Sequence, residues 1–197
     1  MKKFLSQTIV TSVLAAGLCA QAQPQPAARV ASTGGKSPHE TTSTVIDGNR
    51  VTITYGRPYA KGRKIWGTAA DKALVPDGAI WRTGSDEATI LITQQPIEMG
   101  GTTIPAGAYT LWTLPDSGGT TRLIVNKQIG QWGINPRDPK TVYDEKNDVV
   151  RVDLKKDTTP AAVEQFTMAA QKNPAGGGLI KLSWENTEYS VPFTVKK

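Results

Sequence analysis

The chain has 197 residues, 38% of them hydrophobic, and a formal charge of +6 from 23 Lys and Arg against 17 Asp and Glu. A single Cys and a single His exclude a disulfide framework and a zinc site built from several such ligands. The positive excess is too small to argue for nucleic acid, which requires basic residues gathered on one face.

Residues 1–22 read as a secretory signal. Lys2 and Lys3 form the charged start, an apolar segment covers about 9–20, and Ala20-Gln21-Ala22 supplies small residues at both specificity positions for cleavage. The apolar segment is too short to span a bilayer comfortably, so no transmembrane segment is expected after cleavage. The competing lipoprotein pattern at Cys19 is disfavoured by Leu18, which stands where a small residue is needed. Cleavage after Ala22 removes the sole Cys together with Lys2 and Lys3, taking the charge from +6 to +4. An exported chain, periplasmic or secreted, is the expectation, with no thiol chemistry.

Residues 23–37 are rich in Pro, Ala, Gly and Gln and read as a flexible tether. From residue 38 to 197 apolar runs alternate with turn residues at the short spacing of an all-β domain. Strands are expected at 41–46 and 50–55 around the hairpin signal Asp47-Gly48-Asn49. Further strands are expected at 88–93, 96–99, 108–114, 122–126, 149–154, 179–184 and 189–195. Residues 159–166 start like a capped helix with Pro in its first turn, and local propensity favours helix there, although Phe166 and Met168 also alternate as in a strand. The expected architecture is a single antiparallel β-sandwich of jelly-roll type.

The least ordinary residues lie between 55 and 89. Tyr55-Gly56-Arg57-Pro58, Lys61-Gly62-Arg63, Trp66-Gly67 and Trp81-Arg82-Thr83-Gly84 place arginines and tryptophans among glycines. Residues 48–70 hold five cations (Arg50, Arg57, Lys61, Arg63, Lys64) and no acid. These blocks, with Glu87-x-Thr89, Pro105-Ala106-Gly107-x-Tyr109-x-Leu111, Trp132-Gly133 and Trp184-Glu185, resemble a bacterial family of exported proteins known as domain of unknown function 2911. The resemblance runs nearly from Ser37 to Val195. It implies an all-β exported domain and shifts 163–169 toward strand, but it brings no activity or substrate. Where the family continues Ala-Asn after Trp-Arg-Thr-Gly, this chain has Ser85-Asp86.

Two readings of the basic-aromatic stretch stand. Arginine forks suit carboxylate, phosphate or sulfate, and aromatic faces suit sugars, so Arg57, Lys61, Arg63, Trp81, Arg82, Thr83 and Glu87 form a candidate surface for a small anionic or carbohydrate ligand. Alternatively Arg57 and Arg82 pin loops by reaching carbonyls while Trp66 and Trp81 fill core. If 81–89 enters the sheet as a strand, Trp81 and Arg82 face opposite sides. A two-carboxylate hydrolase drawing on Asp86, Glu87, Asp148 or Glu185 is the runner-up, and an envelope interaction protein the third reading. No catalytic set, metal site or cofactor is assigned. His39 is expected to be exposed or in a turn, and Asp144–Asp148 to be a solvated turn, its Lys146 breaking the alternating ligands of a calcium loop.

Overall fold

A computed structural model describes residues 37–132 and 143–197. The signal expected at 1–22, and all but the last residue of the tether expected at 23–37, lie outside the described residues. The first element is the expected hairpin: β1 (His39–Ile46) and β2 (Asn49–Gly56) pair antiparallel in full register from His39↔Gly56 to Ile46↔Asn49. Asp47 and Gly48 bridge them with φ of 49° and 83°, the left-handed pair that a two-residue turn requires. Asn49 belongs to the strand. Its buried side chain accepts from the amides of Gln94 and Gln95 and donates to Thr93 Oγ1.

Two short strands, β3 (Trp66–Gly67) and β4 (Val75–Pro76), form a small parallel pair of their own. The remaining strands are β5 (Thr89–Thr93), β6 (Ile97–Met99), β7 (Thr102–Ile104), β8 (Gly107–Pro115), β9 (Thr121–Asn126), β10 (Asp148–Lys172) and β11 (Gly178–Val195). With β1 and β2 they make one large antiparallel sheet in the order β1-β2-β5-β8-β9-β10-β11-β6-β7. Among the described residues no pairing joins β7 to β1, so the sheet does not close into a barrel. The all-β antiparallel expectation therefore holds at that level. The sequence did not reveal β3, β4 and β7, nor that 179–184 and 189–195 belong to one strand.

The helix favoured by local propensity at 159–166 is not formed, and this stretch is the middle of β10. Phe166, Met168 and Ala170 are buried while their neighbours are not, the period of a half-buried strand. Pro160 lies where the register with β11 shifts between Thr158 and Val163, the irregular position at which a sheet tolerates a residue without an N–H. Tertiary burial of Phe166 and Met168 outweighs the weak helical preference of the Ala-rich stretch.

After its irregular stretch β10 passes over the first hairpin. Thr44 Oγ1 donates to the Ala170 carbonyl at 2.7 Å, and the Tyr55 hydroxyl accepts from the Met168 amide at 2.8 Å. The space enclosed holds a linked set of rings. Phe166 lies 5.8 Å from Tyr55, 5.0 Å from Trp81 and 5.5 Å from Trp184, centroid to centroid, while Trp81 and Trp184 stack at 5.8 Å and 20°. Aliphatic side chains of β2, β5, β8 and β9, among them Ile53, Leu91, Leu111 and Leu123, complete the same core.

Tyr55 tests this docking. Burial, reinforced by the Glu40 carboxylate, pushes its phenol from 10.0 up to about 12. In the unfolded chain the phenol ionises from about pH 10 upward. Its contribution is therefore complete below pH 10 and is lost as pH rises toward about 12. Tyr55→Phe is expected to flatten that alkaline decline. It is also expected to destabilise the protein by about 1–3 kcal/mol at neutral pH, because the buried Met168 amide loses its acceptor. Urea melts of both proteins at pH 7 and across pH 9–12 check both effects.

Candidate cationic cleft

The 57–63 loop is strapped to the middle of β10 by main-chain bonds. The Phe166 amide donates to the Pro58 carbonyl at 2.9 Å and the Ala60 amide to the Glu164 carbonyl at 2.7 Å. Arg57 completes the strap with its side chain. It reaches the Phe166 carbonyl through Nε (3.1 Å), Thr167 Oγ1 (2.9 Å) and the Glu40 carboxylate (2.9 Å). Of the two readings offered for Arg57, the structure shows the pinning geometry. Arg63 is partly used in the same way, donating to the Ala60 and Tyr59 carbonyls and fixing the turn that carries Lys61. Lys61 has φ 51° and an exposed side chain, with its ammonium 6.0 Å from the Tyr59 ring centre.

The Trp81-Arg82-Thr83-Gly84 block is not a strand entering the sheet. Trp81 alone bridges to Thr113, with both main-chain bonds at 2.8 Å, and the chain then turns away until β5 begins at Thr89. Trp81, Thr83 and Thr89 are fixed in this turn by hydrogen bonds. The Trp81 indole donates to the Gly84 carbonyl, Thr83 Oγ1 shares a hydrogen bond with Thr113 Oγ1, and Thr89 Oγ1 donates to the Thr83 carbonyl. Thr83 and Asp86 sit at φ 55° and 66°, held in the left-handed region by this bonding.

The two loops meet backbone to backbone. A Cβ on Gly56 would lie 2.1 Å from the Ser85 carbonyl oxygen, and one on Gly84 would lie 3.0 Å from the Gly56 carbonyl oxygen. Only glycine allows that approach. Against the joint lies a cleft of about 430 Å³, lined by Tyr59, Lys61, Arg63, Trp81, Arg82 and Ser85 together with Leu74 and Trp184. Among the described residues its charged lining residues are Lys61, Arg63 and Arg82, with no carboxylate.

Arg82 differs from its neighbours. Its Nε is buried and has no hydrogen-bond partner among the described residues, as is also true of Ser85 Oγ. Burial lowers the pKa of its guanidinium, and Asp86 and Glu87 oppose that effect by their charge. Trp81 packs in the core and borders the cleft, and Arg82 lines the cleft too, so the opposite faces expected of a strand do not arise in this turn.

Of the candidate residues, Lys61, Arg63, Trp81 and Arg82 come together on the cleft, whereas Arg57, Thr83 and Glu87 are not part of its lining. Thr83 is fully buried. Glu87 instead lies 3.1 Å from His39 Nε2, with Asp86 3.7 Å from the same nitrogen. His39 is thus a half-buried strand residue between two carboxylates, not the exposed or turn residue expected. Tyr59, Leu74 and Trp184 join the cleft lining without a signal in the sequence that places them there. Ser85 was marked only as a departure from the family pattern.

The acidic stretch 144–148 is a short 3-10 turn, Glu145–Asn147, with Asp144 accepting from the Lys146 amide. The Asp148 carboxylate is taken up by Tyr143 (2.6 Å), Asn126 (2.8 Å) and Arg151 (2.7 Å). These bonds give Asp148 a structural part.

Fold and site together describe an antiparallel β-sheet domain with a cationic cleft at the joint of two glycine-bearing loops. The chain belongs to the family described as Protein of unknown function (DUF2911), whose model matches residues 37–193. No curated protein and no solved structure matches it.

The geometry ranks four substitutions. Trp81→Ala is expected to cost about 3–5 kcal/mol, as for other buried aromatics. Arg57→Ala is expected to cost about 1.5–3 kcal/mol through its charged hydrogen bonds. Gly56→Ala is expected to cost about 1–3 kcal/mol or more, since its new methyl meets backbone. Arg82→Ala is expected to change stability by less than about 1 kcal/mol, because no hydrogen bond is lost. Urea melts of the four variants check the order. An Arg82→Ala loss as large as that of Trp81→Ala would make Arg82 a staple.

Proposed function

We propose that the protein is an exported binding protein whose cleft holds a small anionic or sugar-like ligand, with Arg82 as its central contact and Lys61 and Arg63 at its rim. The observation that carries this reading is the gathering of Lys61, Arg63 and Arg82 on one cleft whose described lining residues include no carboxylate. Arg57, outside the cleft lining, spends its guanidinium on the Phe166 carbonyl, Thr167 Oγ1 and Glu40, and that contrast favours a ligand role for Arg82. The signal-like residues 1–22 support export. No helix among the described residues is long and apolar enough to cross a membrane.

A carboxylate-dependent hydrolase is less well supported. It needs two acids facing a common cleft, and none of Asp86, Glu87, Asp148 and Glu185 belongs to the cleft lining. Asp86 and Glu87 are turned to His39 instead.

A thermal-shift screen of the full chain against sugar acids, phosphates and sulfates tests the proposal. At least one anion is expected to raise the Tm, with the shift shrinking as salt increases because the rim charges are exposed. Arg82→Ala is expected to abolish the shift while leaving the unliganded Tm within a few degrees. A screen in which no anion binds removes the reading.

A further inference from the structure

Two cations of the basic stretch are neutralised within the protein, Arg57 by Glu40 at 2.9 Å and Lys64 by Asp71 at 3.0 Å. The three that line the cleft, Lys61, Arg63 and Arg82, have no carboxylate at ion-pair distance among the described residues. The hydrogen bonds of Arg63 do not alter this, because its acceptors are the neutral carbonyls of Ala60 and Tyr59. They fix where the charge sits and leave it uncompensated. Acids on the same elements are engaged elsewhere. Glu164 accepts from the main-chain amide of Lys61 at 2.9 Å, and Asp86 and Glu87 lie beside His39. The latter two offset the charge of Arg82 in part, from outside the lining.

Charge acts over a distance that a hydrogen bond does not reach. A concavity of about 430 Å³ is of the order of one Debye length across, roughly 8 Å at physiological ionic strength. An occupant therefore feels all three cations together, whichever atoms it touches. Trp81 and Trp184, stacked in the core behind the cleft, give it a wall of low polarisability that concentrates the field. The preceding part of the chain does not supply the missing counter-charge. Ser37 borders the cleft, and residues 23–36 leading to it hold Arg29 and Lys36 and no acid.

We infer that the cleft takes a polyvalent anion, a small molecule carrying two or more negative charges close together, such as a tricarboxylate or a diphosphate. This rests on the anion-binding reading above and narrows it. A monoanion offsets one of the three cations and leaves the other two repelling each other. In a fixed potential the interaction scales with the charge of the ligand, so a dianion gains about twice and a trianion about three times as much as a monoanion. Lys61 and Arg63 are exposed, and an exposed cation contributes little to a single pair. A ligand that meets several of them at once sums those small terms.

The test titrates the full chain calorimetrically, at neutral pH and low salt, with glucose, acetate, glucuronate, succinate, citrate, inorganic phosphate and diphosphate. Affinity is expected to rise about ten-fold from acetate to succinate and again from succinate to citrate, with diphosphate above phosphate. Added salt is expected to weaken citrate far more than acetate. Lys61→Gln is expected to weaken citrate about ten-fold and acetate less than about three-fold. Arg82→Lys, which keeps the charge, is expected to retain most of the citrate affinity that Arg82→Gln loses. Lys172→Gln removes an exposed charge outside the lining and is expected to leave citrate unchanged. Thermal melts of the variants confirm that they are folded.

Citrate above diphosphate, or the reverse, supports the inference in either case and tells carboxylate from phosphate as the source of the charge. An affinity that does not rise with ligand charge, or that is highest for acetate or glucuronate, would overturn the polyvalent assignment and leave the anion-binding reading standing. Tightest binding of glucose would overturn it too and leave a sugar cleft. A Lys172→Gln loss as large as that of Lys61→Gln would show attraction to the whole basic surface and overturn the cleft as the place of binding. No response to any of the seven compounds would remove this inference and the binding reading together.

Discussion

The middle of β10 holds the molecule together at Phe166. Its amide donates to the Pro58 carbonyl, its carbonyl accepts from Arg57, and its ring lies against Tyr55, Trp81 and Trp184. One residue thus fastens the basic loop, the aromatic core and the far strands of the sheet. Hydrophobic burial and main-chain hydrogen bonding act at the same point, so neither is formed without the other. The cleft exists because the loop fastened here by Phe166 runs back against the turn after Trp81.

That turn shows how a protein can keep a polar group unsatisfied. Trp81, Thr83 and Thr89 are bonded within the turn or to Thr113, and two non-glycine residues accept positive φ as a result. The bonding over-determines the backbone, which allows Arg82 Nε and Ser85 Oγ to stay buried without hydrogen-bond partners among the described residues. Arg57 and Arg82 have similar settings in the sequence and opposite situations in the fold. Arg57 lies beside a strand whose carbonyls it can reach, and Arg82 projects from a turn whose carbonyls are already taken.

Charge is distributed with the same division. His39, Asp86 and Glu87 form a compact group, and the charges of Asp86 and Glu87 act on Arg82 from outside the cleft lining. Asp148 is enclosed by Tyr143, Asn126 and Arg151 at another corner. Among the described residues, the cleft lining that carries Lys61, Arg63 and Arg82 contains no acid.

Much of this was legible in the sequence. The period-2 runs, the Asp47-Gly48 turn and the recurring breaks determined an all-β antiparallel domain, because strand alternation and left-handed turn residues are local requirements. The pattern also marked Lys61, Arg63, Trp81 and Arg82 as residues to watch. Only the tertiary structure decided that 159–166 is strand, since the burial of Phe166 and Met168 against Tyr55, Trp81 and Trp184 comes from segments far away in the chain. Only it separated Arg57 from Arg82, and only it brought Leu74 to the cleft and His39 to Asp86 and Glu87. Partners for a side chain are set by what the fold carries to within a few ångströms, and that distance is not written in the neighbouring residues.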